Sequence, residues 1–433
     1  MEQRKLARVA PRARRAGAAL TVLVAVSVLP ATAAGPKTRL ASQANNGDPA
    51  ANGSDATAIS GNGTVAAYTS LSDNLPQGDG TTVQVYVRDF DAAQTRPVSR
   101  TSDGEVGDEA SREPWLSASG RLVAFSSTAT NLPAGDGSNS QVYVHDRDTG
   151  KTRLVSMTSA GEAGDDDSRS PSLSSDGRYV AFKSSAGNLP EAAAIDGGIY
   201  IHDRNTRKTR LASRAGDGTP VEADAGQISA DGDHLVFKSN ASELPQGDGS
   251  TYRVYVRDLD SGNVELVSKT AAGEPADASC SDEALSSDGS AAVFTCYADN
   301  MPGGNGVTSL VYIRDLVDGT TRLVSRNNDG DPVEESAYDP FISSNGKAVN
   351  FYTFSNNLPG VDDVEDVYVY DVTSRRVALA SRNSDGQAAD DSSEAYPPSL
   401  SRDGSYIVFR TASNNLPGGD GSGTQLYIRG PLP

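Results

Sequence analysis

The sequence predicts an all-β protein, a seven-bladed β-propeller of four-stranded antiparallel blades, and three observations carry that prediction. A turn glycine recurs as Gly63, Gly120, Gly177, Gly232, Gly289, Gly346 and Gly404, at intervals of 57, 57, 55, 57, 57 and 58 residues. Around it lie four short runs of β-forming residues divided by turn signals, the pattern of strands and not of helices. The repeat is also offset. Six units end in a run such as Thr209 to Ser213, the seventh has none, and Thr38 to Ser42 stands alone before the first unit as the missing copy. Units of this length bury their faces against neighbours. Splitting one unit between the two termini closes a ring, so the N-terminal strand is expected to complete the last blade.

Pro171 to Ser213 shows the unit in full. The apolar run ending at Leu173 is the first strand, and Ser174 to Gly177 is a turn. Tyr179 to Phe182, Ile199 to His202 and Thr209 to Ser213 are strands two, three and four. The second strand recurs as Leu122 to Phe125 and Ala291 to Phe294, and the third as Val85 to Asp89, Val142 to Asp146 and Val254 to Asp258. Their alternation sends successive side chains to opposite faces of a sheet. An Asn-Leu-Pro loop follows the second strand, as at Asn74 to Pro76, Asn131 to Pro133 and Asn188 to Pro190. Turns after strands one and three are tight and share one face of the disc. Loops after strands two and four are long and share the other, where binding residues are expected.

The motifs Ser-x-Asp-Gly-x-x-Val-x-Phe, Val-Tyr-Val-x-Asp and Thr-Arg-Leu-Val-Ser together resemble the WD-like propeller repeat of TolB-type proteins, over essentially all of the chain beyond residue 33. The resemblance implies the propeller fold and says almost nothing about activity. No Gly-x-Ser-x-Gly occurs, the nucleophile motif of a hydrolase domain such as prolyl-peptidase relatives carry beside their propeller.

The first 33 residues read as an export signal, with Arg4 to Arg15 basic, Ala16 to Leu29 apolar and Ala31-Thr32-Ala33 as a small-residue cleavage site. Residues 34–433 are then one propeller domain, expected to be secreted or extracytoplasmic, monomeric and not inserted in a membrane. The whole chain carries −19, and without the leader, whose six basic residues face only Glu2, it carries −24. So acidic a chain repels phosphate polymers, and nucleic acid is not an expected partner. Cys280 and Cys296 lie symmetrically about Asp288 and should bond across strands one and two of the fifth blade. Closing a loop of that length is worth about 3 kcal/mol in the chain-entropy model.

The long-loop face is acidic. Glu113, Asp165, Asp166, Asp282, Glu334, Asp339, Asp390 and Asp391 are expected on one rim, with Glu283 and Glu394 among their neighbours and Trp115 beside the channel at the place Phe341 takes in another blade. These are the expected binding residues of an interaction module that presents its acidic face to a protein, peptide or glycan. No catalytic residue is assigned. One alternative is a propeller-type lyase or hydrolase acting on sugar or peptide with channel-mouth carboxylates. Another is a calcium-stabilised structural protein of the envelope, in which Asp362, Asp363, Glu365 and Asp366 offer the densest set of hard oxygens. No cofactor is required, and calcium is the one such loops would admit. His145, His202 and His234 have no second ligand near in sequence, which argues against zinc.

Overall fold

A computed structural model describes residues 35–360 and 363–432; the expected export signal and Asp362 lie outside the described residues. Pro36–Pro433 form a compact unit of seven four-stranded antiparallel sheets, the only helix among the described residues being the single 3-10 turn Ala192–Ala194. Each sheet is one blade, its strands following one another from the axis outward. In blade 3 they are Ser168–Leu173, Tyr179–Ser184, Gly198–Asp203 and Lys208–Leu211. No helix among the described residues is long and apolar enough to cross a membrane.

The two middle strands are buried almost throughout, because other blades cover both faces of each sheet. That is why they are near-continuous apolar runs. Each blade pairs an aromatic ring of its second strand with a tyrosine of its third, as in Phe182 with Tyr200 and Phe294 with Tyr312. The seven pairs stack with centroids 5.7 to 6.0 Å apart. Such a pair adds about 0.5–1.5 kcal/mol beyond the area it buries, so one contact repeated per blade fastens the two middle strands of every sheet to each other.

The tight turns explain the recurring glycine. Ser174 Oγ donates to Asp176 Oδ1 (2.7 Å) and accepts from the Tyr179 amide (3.0 Å), leaving Gly177 at a left-handed φ of 67°. A Cβ at Gly177 would lie 2.3 Å from Leu122 Cδ1 of the preceding blade, so the position excludes a side chain as well as requiring the conformation. On the other face, the loop asparagines hold the hairpins that connect blades. Asn131 Nδ2 donates to the Val106 carbonyl and Asn188 Nδ2 to that of Ala163, both at 2.8 Å.

The ring closes as the offset repeat predicts. Lys37–Leu40 pairs with Gln425–Gly430, from Lys37 opposite Gly430 to Leu40 opposite Tyr427, and becomes the outer strand of the last blade. Cys280 and Cys296 sit opposite each other on the first two strands of blade 5 and are joined as a disulfide.

Candidate functional site

The innermost strands surround the axis, and in most of them the ladder slips. In blade 2 Arg112 pairs with Ser126 and Trp115 with Ala124, so Glu113 and Pro114 together face one residue. This is a β-bulge, which turns a side chain out of the sheet. The same slip occurs in blades 1, 3, 5 and 6. At the turning point Ala56, Glu113, Ser170, Asp282 and Asp339 all have φ between 41° and 54°. A non-glycine residue in that region costs about 1–2 kcal/mol. The cost is accepted five times at one place, and there three of the five side chains are carboxylates.

Each of these three meets a hydroxyl from the fifth residue of its blade's second strand. Ser126 Oγ donates to Glu113 Oε2 (2.8 Å), Thr295 Oγ1 to Asp282 Oδ2 (2.7 Å) and Tyr352 Oη to Asp339 Oδ2 (3.1 Å). Glu113 also accepts from the Ser170 amide of the next blade at 2.8 Å. In blades 3 and 4 the fifth residue is instead Lys183 or Lys238, its counterpart in blade 7 is Arg410, and there the nearby acids are neutralised. Both lysines pair with Asp224, and Arg410 pairs with Asp55 and Glu394.

The bulges open a cavity of about 470 Å³ at the axis, lined by Glu113, Asp282, Glu283, Asp339, Lys238 and Tyr396 among others. Its floor is Trp115 from blade 2 meeting Phe341 from blade 6 edge-on across the channel, centroids 6.2 Å apart. Below them is a void of only about 60 Å³, ringed by Ile59, Leu116, Leu173, Ile228, Leu285, Ile342 and Leu400, one aliphatic side chain per blade.

Glu283 replaces the proline that follows the bulge residue in blades 2, 3 and 6. Part of it borders the cavity, but Oε2 is shut off from solvent and has no hydrogen-bond partner. Burial pushes its carboxyl up to about 7. Asp339 is raised to about 6 by burial and by the charge of Asp282, against the opposing bond from Tyr352. Tyr352 in turn is driven above its ordinary value by burial and by Asp339. Glu113, Asp282, Glu283 and Asp339 form no ion pair among the described residues, so the cavity wall holds four carboxyls beside a single ammonium, that of Lys238, which pairs with Asp224.

Of the residues expected from the sequence, the fold brings Glu113, Trp115, Asp282 and Asp339 together at this cavity. Asp165 and Asp390 instead bind the loops beside them. Asp165 accepts from the Asn188 amide (3.2 Å), and Asp390 accepts from Ser413 Oγ (2.6 Å) and the Asn414 amide (2.7 Å). Asp166 and Asp391 each accept from the next backbone amide and stay exposed, and Glu334 is exposed on its connection. In the expected calcium loop, buried Asp366 accepts from Ser381 Oγ at 2.6 Å, and burial raises the Glu365 carboxyl, as does the charge of Glu394. Asp363 stands at φ 68°. Among the described residues no group of three His, Cys, Asp or Glu side chains is arranged to hold a metal. Sequence reasoning passed over Asp55, Lys238, Tyr352, Tyr396 and Arg410. The signal was available, because the residue after the second-strand aromatic reads Thr69, Ser126, Lys183, Lys238, Thr295, Tyr352 and Arg410 against an otherwise regular repeat.

No family model matches the chain, and no curated protein matches it in sequence. Solved propellers do. An oligogalacturonate lyase from Vibrio parahaemolyticus is 13% identical over 91% of this chain and 96% of its own, with a TM-score of 0.55. The β-propeller domain of the Trilobed protease from Pyrococcus furiosus is 13% identical over 90% and 94%, with a TM-score of 0.53. TolB from Acinetobacter baumannii is also among the similar structures, at 18% identity over 62% of this chain and a TM-score of 0.39; the match spans about half (53%) of the TolB chain. At these identities the likeness is one of fold.

Proposed function

We propose that the chain is an extracytoplasmic binding module that takes a cationic group, the lysine or arginine side chain of a protein or peptide, into its axial cavity. The observation that carries this reading is the set of four carboxyls in no ion pair, against one lysine already paired with Asp224, gathered over an aromatic floor in a cavity of about 470 Å³. A volume of that size suits one or two side chains. Low-dielectric walls favour a cation over water, and Trp115 offers a ring to it. The disulfide supports an oxidising location.

Titration of the chain from residue 34 onward with a lysine-rich hexapeptide tests it. Binding is expected, with affinity falling at least about 10-fold when salt rises from 50 to 500 mM or when Glu113→Gln or Asp282→Asn is introduced. Equal binding of a glutamate-rich hexapeptide would sink the reading.

A second reading, acid–base chemistry on a sugar or peptide, is favoured by one observation. Glu283 and Asp339 hold their protons nearer to neutrality than ordinary carboxyls, as a general acid must. Its sign is product release from an oligogalacturonate or a peptide substrate, lost in Asp339→Asn.

A further inference from the structure

The seams between blades repeat as regularly as the blades, so each is a control for the others. At a seam, residues one and three of a blade's outer strand face residues one and four after the aspartate that ends the next blade's third strand. Between blades 3 and 4 these are Lys208, Arg210, Leu259 and Gly262; between blades 4 and 5 they are Asn263, Glu265, Leu316 and Gly319. Only the seam between blades 2 and 3 has a cation at all four places: Lys151, Arg153, Arg204 and Arg207. These four line a cleft of about 500 Å³ on the outer side of the disc, far from charge balance in a chain that is otherwise strongly acidic.

Arg204 shows what the cleft lacks. One blade earlier, Arg147 donates to the Gly120 carbonyl (2.8 Å) and, through Nη2, to Asp89 (2.9 Å). Arg204 makes the matching bond to the Gly177 carbonyl (2.6 Å), but Asp146, the counterpart of Asp89, is taken by Arg121 at 3.0 and 2.7 Å. The rest of the Arg204 fork has no hydrogen bond or ion pair among the described residues, although the Asp146 carboxylate also lines the cleft and favours its charge, and Lys151, Arg153 and Arg207 form no ion pair among them. Arg207 adds a separate observation. It stands at φ 58°, a turn position that is Gly150, Gly262 and Gly319 in three blades, Ala93 in blade 1 and Arg375, also at φ 58°, in blade 6, so the turn does not need a cation there, and only at this seam does that arginine meet three other cations.

We propose that this cleft is a second binding site, distinct from the axial cavity, for a small ligand bearing carboxylate, phosphate or sulfate groups. The planar fork of Arg204 would grip one oxyanion in two-pronged fashion while Arg153, Arg207 and Lys151 hold its neighbours. A small ligand is favoured over a phosphate polymer because the surrounding acidic surface repels extended polyanions.

Calorimetric titration at low salt with citrate, pyrophosphate and a sulfated disaccharide tests the site, and whichever binds identifies the source of the oxyanion. At least one is expected to bind, and to bind roughly 10-fold or more weakly in Arg204→Gln and in Arg207→Gly. Arg207→Gly is safe for the fold, since glycine is what the turn carries elsewhere, and Glu113→Gln should leave the affinity unchanged. The proposal is overturned if none of the three binds, if both arginine variants bind like the parent, or if a single-stranded 12-mer oligonucleotide binds more tightly than all three.

Discussion

A chain that begins at Ser42, lacking Lys37 to Ala41, should lose at least about 4 kcal/mol of stability and self-associate. The deleted segment is the outer strand of the last blade, and it buries Leu40 (7% exposed), Thr38 (3%) and Ala41 (0%). Leu40 alone is worth about 1.5–3 kcal/mol. Thr38 Oγ1 also accepts from Arg429 Nη1 at 2.8 Å, and Arg429 is almost wholly buried, so its loss strips a charge-assisted bond worth about 1.5–3 kcal/mol. The bared edge of Gln425–Gly430 is then a template for another chain. Urea midpoints and size-exclusion profiles measure both effects. A synthetic peptide covering residues 36–42 should restore the midpoint in proportion to its concentration. An unchanged midpoint in the truncated chain would mean that the terminal strand does not close the ring.

The second large effect depends on pH. Glu283 titrates at about 7 in the folded chain against 4.5 when free, and Asp339 at about 6 against 3.8. An acid raised in this way destabilises the fold as it ionises: nothing is lost below its free value, the loss grows up to the folded value, and it is constant above. Each shift corresponds to about 3 kcal/mol. Stability should therefore fall between about pH 4 and 7, and at pH 8 Glu283→Gln should exceed the parent by about 3 kcal/mol, with little difference at pH 4. Carboxyls held low, such as Asp203 at about 2, act below that window and do not mask it. Urea midpoints at pH 4 and 8 decide the matter, and a pH-independent difference would contradict it.

The architecture was legible because it is written seven times. The glycine period, the Phe–Tyr alternation and the displaced copy at Thr38 to Ser42 each have one physical reading, and the sheets follow it. The site was legible in part. Glu113, Asp282 and Asp339 were picked out as acids of the long connections and Trp115 as an aromatic beside the channel, but Asp165 and Asp390 look the same in sequence as those acids and are spent on their own loops. What separates the two groups is a bulge. One extra residue turns Glu113 toward the axis, and register is a property of the paired strands, not of either one. Lys238 and Arg410 were hidden for another reason: they lie on strands whose hydrophobic pattern marks them as core, and only comparison of the blades shows that this one position varies.

The edge-on contact between Trp115 and Phe341 has a kinetic meaning. With the axis stoppered there and the void below too small to pass anything larger than a water or two, entry and exit share a single doorway on the acidic face. The molecule cannot act as a conduit from one side of the disc to the other. Anything that enters the chamber leaves by reversing its path. Trimming the stopper, for instance with Trp115→Ala, would deepen the cup only as far as the ring of seven aliphatic side chains beneath it.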